Sequence, residues 1–550
     1  MSTSQDYWNN LGKNSILLNA VSNWRDDYEQ WFLKSVDRLP ETVRVNYLRR
    51  DWVWVEEWLV KNGAKKIEWL GDIKGSAWTL PFERGKAEGE VKSILSSLHR
   101  TGRITRQESV SMIPTIALEI KPGELVLDMC ASPGSKTTQI SENLENKGLV
   151  IANEIANNRI NTLVTNIQRH ASRSCMIIQH DGRHIPKILD KGFDKILVDV
   201  PCTGSGTTRK NPEVWKRWLP SGSRSLHNLQ LELLRKAIDL TKPGGRIVYS
   251  TCSLDPIENE AVIAEILRNT PVDIVSARKI LKSVPFDEGF TEWPKLDDNG
   301  AVNANLDLEK SMLPPTEDHI IKSLKNCVRI WNDKIDGGGF FISILEKRND
   351  AIYSNRMEDI LVNSDVKPDP YNFPVPISNV LKDKIINHFG KCPENLWSRG
   401  RKISWSTDEA KLIWESEKSR KSGKMILPGR RWSPLKIISL GLDAIKTRND
   451  EIDRLIGRAT QQIIPEIKCG YITLNGEKID ELLIEEQLLN EDLRIEIPDY
   501  KGGLLLIDER DQICIPIWVG NRVSLMINDD EKRILRFMKG LDVSNKEEEE

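Results

Sequence analysis

Two cysteines in this chain follow apolar, strand-like runs and precede turn residues. Cys202 lies in VDVPCTGSG, three residues after Asp199, and Cys252 lies in VYSTCSLDP. A free cysteine is most often a small buried hydrophobic residue, but a thiol beside Pro, Gly and Thr at a strand's end is expected to face a cleft. A thiolate in a cleft is a nucleophile. The two thiols and the carboxylate of Asp199 are therefore candidates for nucleophilic and acid–base chemistry.

A second group of candidate residues forms a small-residue loop between a strand and a helix. Such a loop lets backbone N–H groups approach a ligand, and the helix N-terminus favours an anionic group. The pattern is neither GxGxxG nor a Walker loop, so a dinucleotide is not specifically indicated. Cys130 itself is interpreted mainly as a buried apolar residue. The candidate ligand-binding residues are Cys130, Ala131, Ser132, Pro133, Gly134, Ser135 and Lys136.

Acidic residues end three further strand-like runs, at Glu154, Asp181 and Asp199. Glu154 stands twenty residues after Gly134, where a carboxylate commonly binds ribose hydroxyls. Each acid could instead cap a helix or stabilise a turn. Acids at three successive strand ends beside a tight loop fit a cofactor that carries adenosine.

The elements that must position these residues alternate between strand and helix patterns. Six apolar runs, from GELVLDMC to GGFFISILEK, are separated by helical patterns such as NNRINTLVTNIQRH. This alternation predicts an α/β fold with a doubly wound, mainly parallel sheet, whose ligand cleft lies at the carboxyl ends of the strands. All candidate residues would then share one rim of the sheet.

Composition shifts divide the chain into five predicted parts. These are an N-terminal α/β module (1–102), the doubly wound domain (103–347), a Pro-punctuated linker (348–385), a small C-terminal α/β domain (386–540) and an acidic tail (541–550).

The 550 residues and net charge of −2 indicate a multidomain protein without an overall charge bias toward nucleic acid. The 8 cysteines show no CxxC pair and no zinc spacing, so we expect neither a metal site nor a disulfide framework. Without a signal sequence or an apolar run of about 18 residues, an intracellular protein that does not bind membranes is expected.

A local basic patch lies between Asn395 and Leu440, where eleven Lys and Arg residues face four acids. Four tryptophans, Trp397, Trp405, Trp414 and Trp432, are interleaved with them. Cations mixed with aromatic rings suit phosphate contact and base stacking. A solvated basic face over a small tryptophan core is an equally good interpretation.

Several motifs in order resemble the Sun family of S-adenosylmethionine-dependent RNA cytosine carbon-5 methyltransferases. The resemblance covers roughly residues 1–347 and is best to the branch that modifies tRNA, while the last 200 residues or so resemble a PUA-like RNA-binding extension more weakly. The motifs are CASPGSKT (130–137), DVPCTGSGTTRKNPEVWKRW (199–218), YSTCSLDPIENEAVI (249–263), LPETVRVN (39–46), RQESVSMIP (106–114), SMLPP (311–315) and GGGFF (337–341).

The resemblance implies a class I methyltransferase fold, S-adenosylmethionine as cofactor and an RNA partner, with no obligate protein partner indicated. It places residues 130–136 around the methionine part, Glu154 on the ribose and Asp181 near the adenine. Asp199 would face both cofactor and target base.

The resemblance also ranks the two thiols. Cys252 resembles the nucleophile, and Cys202 resembles the second cysteine that helps release the product. The family usually has Ala at 132 and often Asp at 154. Its usual Pro-His pair and Thr after Arg329 are replaced here by IWNDKID, Ile330 to Asp336, which leaves the RNA contact normally made there in question.

The chemistry explains why two thiols are needed. Addition of the Cys252 thiolate to carbon 6 of cytosine activates carbon 5, with Lys136 and the cofactor's sulfonium as candidate charges that favour the thiolate. Asp199 can hydrogen-bond the nitrogen-3 edge, and Cys202 or a water that it positions can assist removal of the carbon-5 proton. Arg209 and Lys210 could hold flanking phosphates.

Three alternatives remain at this point. The substrate could be rRNA or another RNA rather than tRNA. A DNA cytosine methyltransferase would use Cys202 as its nucleophile, although the Thr-Cys motif at 251–252 argues against it. The chain could also be a catalytically silent RNA-binding protein. Position alone puts both thiols on one rim, and only the family resemblance ranks them.

Overall fold

The computed structural model describes residues 4–70, 76–187, 192–351, 374–422, 435–449, 451–491, 493 and 500–541. These residues form an N-terminal region, a central α/β unit and a C-terminal region. No helix among them is long and apolar enough to cross a membrane.

The N-terminal region contains three helices followed by a four-stranded antiparallel sheet of order β2-β3-β1-β4. Strand β4 pairs with β1, so this sheet extends past the predicted boundary at residue 102. The elements are α1 (Ser4–Lys13), α2 (Ile16–Ser22), α3 (Tyr28–Ser35), β1 (Pro40–Val45), α4 (Trp52–Lys61), β2 (Lys65–Lys66), β3 (Ala77–Glu83), α5 (Gly89–Arg100) and β4 (Ile104–Arg106).

The central unit places five parallel strands at the core of a larger sheet. The strands are β5 (Leu125–Asp128), β6 (Leu149–Asn153), β7 (Cys175–Ile178), β8 (Phe193–Asp199) and β9 (Thr241–Thr251). Their spatial order is β7-β6-β5-β8-β9, so the winding direction reverses between β5 and β8. In such sheets the ligand cleft opens at the carboxyl ends of the strands at this reversal. The predicted doubly wound α/β fold is confirmed.

Antiparallel strands extend the sheet beyond β9, where β13 pairs with β9. The added strands are β10 (Val272–Ile274), β11 (Asp287–Glu288), β12 (Val328–Ile330) and β13 (Phe340–Lys347). The helices of the unit are α6 (Ile113–Leu118), α7 (Ser135–Asn143), α8 (Asn157–His170), α9 (Val214–Arg217), α10 (Pro220–Leu240), α11 (Glu260–Asn269), α12 (Ala277–Ile280) and α13 (Asp318–Leu324).

Both faces of the central sheet are covered, as its continuous apolar strands require. On β5, Leu127 packs into the core beneath α10 and α11, and Val126 packs into the core beneath α7 and α8. Helix α8 meets the sheet through Ile160, Leu163 and Ile167, whose spacing forms one apolar helical face. The strand ends are thereby held on a rigid scaffold.

The C-terminal region consists of two five-stranded sheets and contributes one strand to the central sheet. The sheets have the orders β14-β15-β16-β18-β19 and β20-β22-β23-β24-β21. The elements are β14 (Val375–Pro376), α14 (Asn379–Phe389), β15 (Leu396–Arg399), β16 (Lys402–Trp405), α15 (Asp408–Ser422), β17 (Ile437–Leu440), β18 (Leu442–Arg448), β19 (Glu451–Leu455), α16 (Thr460–Ile463), β20 (Tyr471–Leu474), α17 (Gly476–Glu485), β21 (Gln487–Leu489), β22 (Gly502–Asp508), β23 (Cys514–Val519), β24 (Arg522–Leu525) and α18 (Asp529–Met538).

Two predicted domain boundaries need correction. Strand β17 pairs antiparallel with β7, so 386–540 is not separate from the central domain. Strand β14 pairs with β15, so ordered structure begins inside the predicted linker 348–385. A strand from a distant segment satisfies the edge of the central sheet, and local pattern carries no sign of that pairing.

The chain's two ends also meet. Arg103 donates to Asp51 of the N-terminal region and, through two nitrogens at 2.8 and 2.7 Å, to Glu531 of α18. Ile534 of α18 lies in the same apolar core as Leu59 and Leu95. The C-terminal region therefore braces the N-terminal sheet against the central unit.

Candidate active site

The loop after β5 is held in place by its carbonyl groups. Arg159 donates to the Ser132 carbonyl at 2.7 Å, and Asn166 donates to the Pro133 carbonyl at 2.7 Å. Gly134 has a φ of +109°, and a Cβ there would lie 2.9 Å from the side chain of Leu163. Only glycine suits this conformation at such close approach. The loop thus runs tightly over α8 into the first turn of α7.

Other members of the loop are tied to neighbouring elements. The Ala131 N–H donates to the Asn153 carbonyl at 2.9 Å, and the Ser135 carbonyl accepts from Arg44 of β1 at 3.3 Å. Burial raises the pKa of the Cys130 thiol, with Asp128 and Asp199 adding to the effect. Cys130 is therefore a neutral thiol, as its interpretation as an apolar residue requires.

The two cysteines of interest lie together at the rim. Cys202 Sγ and Cys252 Sγ are 3.2 Å apart, and both residues are free thiols. The hydrogen bond to Cys252 is the largest cause that raises the pKa of Cys202 well above its usual value, and burial adds to it. Cys202 therefore holds its proton more tightly than an ordinary thiol.

Glycines bring the loops after β8 and β9 into contact with the segment before β13. The Gly206 N–H donates to the Cys252 carbonyl at 2.8 Å, and the Gly339 N–H donates to the Gly206 carbonyl at 2.8 Å. A Cβ on Gly206 would lie 2.2 Å from the Gly339 carbonyl oxygen. The GGG motif therefore serves close backbone packing against the cysteine loops.

Asp199 lies at the end of β8 between a cation and a hydroxyl. Its carboxylate accepts from Lys136 Nζ at 2.7 Å and from Ser250 Oγ at 2.7 Å. Burial alone would lower the pKa of Lys136, but the ion pair with Asp199 outweighs it and the pKa is raised. Lys136 thus carries a positive charge at the rim.

The two cofactor-binding acids predicted further along the rim, Glu154 and Asp181, have different contacts in the structure. Glu154 is 3% exposed, with one carboxylate oxygen 2.8 Å from the Ala156 N–H and the other 3.5 Å from Arg159. The Asp181 carboxylate accepts from Arg183 at 2.7 to 3.1 Å, and this contact lowers its pKa. Glu154 can accept from a ligand's hydroxyls, whereas the Asp181 carboxylate is already paired.

Sequence reasoning missed Glu258, which connects the two cysteine loops. Its carboxylate accepts from the Thr203 N–H at 3.0 Å and from Ser253 Oγ at 2.5 Å, next to each cysteine. Gln230 and Ser223 donate to the same carboxylate. Glu258 is fully buried, and no cation among the described residues lies within ion-pair distance of it. The signal for it was its place within ENE, inside the motif around Cys252.

A cavity of about 440 Å³ opens between the rim and the N-terminal region. Its lining includes Lys136, Asp199, Cys252, Arg106 and Lys210. The Cys252 thiol and the acid–lysine pair therefore face one space.

Arg209 does not take part in this cavity, which corrects the expectation that it holds a phosphate. It is 3% exposed, and it donates to the carbonyls of Asp37, Arg38 and Gly337 at 3.0 to 3.2 Å. Asp336 lies 2.8 Å from its guanidinium. Lys210, the next residue, is exposed and lines the cavity.

The segment that departs from the family pattern anchors the N-terminal helices. Asp333 accepts two bonds from Arg25, at 2.9 and 2.8 Å, and Asn332 donates to Ser35 Oγ at 2.7 Å. The rings of Trp331 and Trp31 pack edge to face, 6.4 Å apart. Residues 330–336 thus have a structural role in this chain.

The described tryptophans of the basic patch at 395–440 are turned away from solvent. Trp397 is 1% exposed and Trp405 is 3% exposed, and the ring of Trp414 lies 5.3 Å from that of Trp397. Trp397 and Trp405 are buried in two apolar cores, as the alternative of buried tryptophans expects. The cations and the tryptophan of the patch whose side chains lie outside the described residues are Lys418, Arg420, Lys421, Lys424, Arg430, Arg431 and Trp432.

The described residues contain no group of three or more His, Cys, Asp or Glu side chains that could hold a metal ion. The donor set of the rim instead fits S-adenosylmethionine. The carboxylate of Glu154 suits ribose hydroxyls. The adjacent Ile155 is 59% exposed and offers an apolar surface to a base. The loop at 130–136 lies at the part of the rim nearest Cys252.

Known proteins share these features. A family model described as 16S rRNA methyltransferase RsmB/F matches residues 115–346. The multisite-specific tRNA:(cytosine-C(5))-methyltransferase of Saccharomyces cerevisiae is 31% identical over 521 residues, which cover 81% of this chain and 74% of that protein.

Two further comparisons are shorter. The corresponding multisite-specific enzyme of Schizosaccharomyces pombe is 38% identical over 302 residues, and the match spans 47% of this chain and 44% of that protein. A crystal structure of a methyltransferase homologue from Pyrococcus horikoshii shares 29% identity, with a TM-score of 0.46, over 60% of this chain and 93% of that one. The similarity to the Saccharomyces protein, which spans 81% of this chain, confirms the predicted family: the chain belongs to the Sun family of S-adenosylmethionine-dependent RNA cytosine-5 methyltransferases.

Proposed function

We propose that this protein methylates carbon 5 of cytosine in tRNA through a covalent bond between Cys252 and the base. The observation that carries the proposal is the 3.2 Å contact of Cys202 with Cys252, which lines a cavity together with Asp199 and Lys136. A two-stage reaction needs a nucleophile and a separate proton-transfer group within reach of one ring.

The cofactor is held along the strand ends. Residues 130–136 contact its methionine part, Glu154 accepts from its ribose hydroxyls, and Ile155 packs against its adenine. Asp181 contributes near the adenine through the backbone around it, because its carboxylate is paired with Arg183. Bound S-adenosylmethionine supplies an electrophilic methyl group on its sulfonium.

Attack begins from Cys252. Its sulfur adds to carbon 6 of the cytosine, and the displaced electron pair makes carbon 5 nucleophilic. Asp199 accepts a hydrogen bond from the amino group on the nitrogen-3 edge of the base, and Lys136 holds the Asp199 carboxylate in place at 2.7 Å. The raised pKa of Cys202 disfavours a thiolate on Cys202. This supports the proposal that Cys252 is the nucleophile.

Product release uses the second thiol. Once Cys252 is bonded to carbon 6, its sulfur is no longer the thiol or thiolate partner of Cys202. Cys202, after it has released its own proton to solvent, or a water that it positions, then accepts the carbon-5 proton, and the electron pair of that C–H bond restores the ring as the Cys252 thiolate leaves. Glu258 fixes the spacing of the two loops and acts as a positioning residue.

We favour tRNA as the substrate because the similarity to a tRNA enzyme extends further along the chain than the match to the rRNA methyltransferase family model. The match to the Saccharomyces tRNA enzyme covers 81% of this chain, which is more than residues 1–347 contain. The family model named for 16S rRNA enzymes covers only 115–346. The N-terminal sheet and the C-terminal region, which we assign as a PUA-like extension, would bind the body of a folded RNA.

The test is methyl transfer by the purified chain with no added protein. Unmodified tRNA transcripts and deproteinised small-subunit rRNA are each incubated with methyl-labelled S-adenosylmethionine, and the labelled nucleoside is identified. We expect 5-methylcytosine in tRNA. Label in rRNA alone would assign the reaction to rRNA, and bound cofactor without label in either RNA would identify a silent RNA-binding protein.

A further inference from the structure

Helix α8 separates two cavities of the molecule. Its residues Asn166 and Arg169 line the 440 Å³ cavity that contains Cys252. Its residues Asn161, Thr165 and Gln168 line a second cavity, of about 530 Å³, that it forms with the C-terminal region. The second cavity also contains the cations Arg399, Lys402 and Arg458. Helix α8 therefore contributes side chains to both cavities.

The exposed surface of α8 suits a polyanion. The helix sequence, NNRINTLVTNIQRH, contains no acidic residue. Its exposed side chains are amides, hydroxyls and one guanidinium, namely Asn157, Asn158, Arg159, Asn161, Thr162 and Thr165. Amides, hydroxyls and arginines are groups that commonly hydrogen-bond phosphate oxygens.

The cations that line the two cavities outnumber the acids able to neutralise them. In the second cavity Asp443 is the one acid, and it is paired with Lys402 at 2.6 Å. Arg458 lies within ion-pair distance of no carboxylate in the described part of the chain. The same holds for Lys210, which lines the first cavity.

The lowered pKa values of two arginines agree with this excess of positive charge. Burial lowers the pKa of Arg169, and the charge of Arg458 lowers it further. Burial is also the main cause that lowers the pKa of Arg458, Asp443 opposes it, and Arg49 adds to it. Arginines that repel one another are stabilised when an anion binds between them.

We propose that the sugar–phosphate backbone of the RNA crosses α8 from the cavity at Arg458 to the cavity at Cys252, with Arg169 between them. This path rests on the proposed function, because it assumes an RNA substrate. It assigns RNA binding in the C-terminal region to the face next to α8 rather than to the tryptophans of the 395–440 patch.

The test compares full-length variants that differ by one charge along the path. Thr165 is exposed, and its hydroxyl bonds only the helix carbonyl of Asn161, so Thr165→Glu and Thr165→Gln differ in charge but not in shape. Arg458→Gln removes a cation of the path. Arg278→Gln is the matched control, because Arg278 is exposed beside β11 at the opposite edge of the central sheet.

The measurement is the Kd of each variant for an unmodified tRNA transcript at several salt concentrations. We expect Arg458→Gln and Thr165→Glu to raise the Kd about fivefold, and Arg458→Gln to lower the salt slope by about one, because a phosphate contact is lost. Thr165→Gln and Arg278→Gln should stay within about twofold of the wild type.

The outcomes separate the path from the reaction. If the wild type methylates tRNA while Thr165→Glu binds as tightly as Thr165→Gln and Arg458→Gln keeps the full salt slope, the path is overturned. If the expected losses of binding occur but the wild type transfers no methyl group, the path stands and the proposed reaction fails.

Discussion

The strand-end rim of the central sheet and the segment 395–440 both contain residues that suit contact with RNA, but the structure uses them in opposite ways. At the rim, Cys202 and Cys252 come from loops 50 residues apart in sequence and meet at 3.2 Å, and Cys252 faces a cavity. In the segment, Trp397 and Trp405 turn inward, each into a different apolar core.

The difference shows what kind of sequence signal fixes a location. Loops that follow adjacent parallel strands must meet at one edge of the sheet, because the strands' direction and order determine it. A mixture of cations and aromatic residues determines no face, since tryptophans gain more free energy by burial than by solvent exposure. Topology therefore predicts a site more securely than composition.

The test of the rim with the largest expected effect distinguishes the roles of its two thiols. Cys252→Ala should reduce methyl transfer by at least about 10³-fold, because it removes the thiol that we propose adds to carbon 6. Cys202→Ala should instead accumulate an RNA–protein adduct that survives a denaturing gel, since release fails after attack. The reverse pattern, with the adduct in Cys252→Ala, would make Cys202 the nucleophile.

For the segment 395–440 the corresponding test measures how a substitution changes the free energy of unfolding. Trp397→Ala should lower the free energy of unfolding by about 4 kcal/mol, because it removes a buried ring and its hydrogen bond to Ser406. Lys411→Gln, an exposed change in the same segment, should change it by less than about 0.5 kcal/mol. Urea unfolding measures both, and a Trp397→Ala protein of wild-type stability with weakened tRNA binding would contradict the buried assignment.

The link between the two cysteine loops can be broken at Glu258. In Glu258→Gln an amide N–H₂ faces the donors of Thr203, Gln230 or Ser253, so the loops should separate and kcat should fall about 30-fold with little change in KM for tRNA. Less adduct should form when the change is added to Cys202→Ala. The exposed Glu90→Gln serves as the control, and a larger KM with an unchanged kcat would reject the positioning role.

A smaller effect is expected from Asp255, which is 3% exposed in the turn after Cys252. Burial and then the charge of Glu258 raise its pKa to about 7. The unfolded value is about 3.9, so the stabilisation is full below pH ~4 and is lost as the pH rises toward 7. Between pH 5 and 7 the wild type should therefore lose about 2 kcal/mol more than Asp255→Asn. Thermal unfolding at both pH values measures this, and parallel losses would contradict it.

Much of the central fold and the rim was predictable from local pattern. The buried strands are continuous apolar runs in the sequence, and helix α8 has a periodic apolar pattern. Gly134 marks a turn that no other residue fits. The positions of Cys202, Cys252, Asp199 and Lys136 follow from the loops in which they lie.

Other features depended on partners far away in the chain. Arg209 and Lys210 are adjacent cations, yet Arg209 is buried against carbonyls of residues about 170 positions earlier while Lys210 faces the cavity. Strand β17 joins the central sheet beside β7, although the strands are more than 250 residues apart. The local hydrophobic periodicity of the sequence does not distinguish such residues from ordinary surface or strand positions.

The sequence by itself determined the family, the doubly wound sheet and the residues placed at its strand ends, because side-chain periodicity and loop chemistry act over a few neighbours. Only the tertiary structure decided which cations face the cavities, which tryptophans are buried, and that Glu258 joins the two thiol loops. Those outcomes depend on which distant backbone carbonyls and hydroxyls meet a buried polar group, since such a group must find its hydrogen-bond partners wherever the fold supplies them.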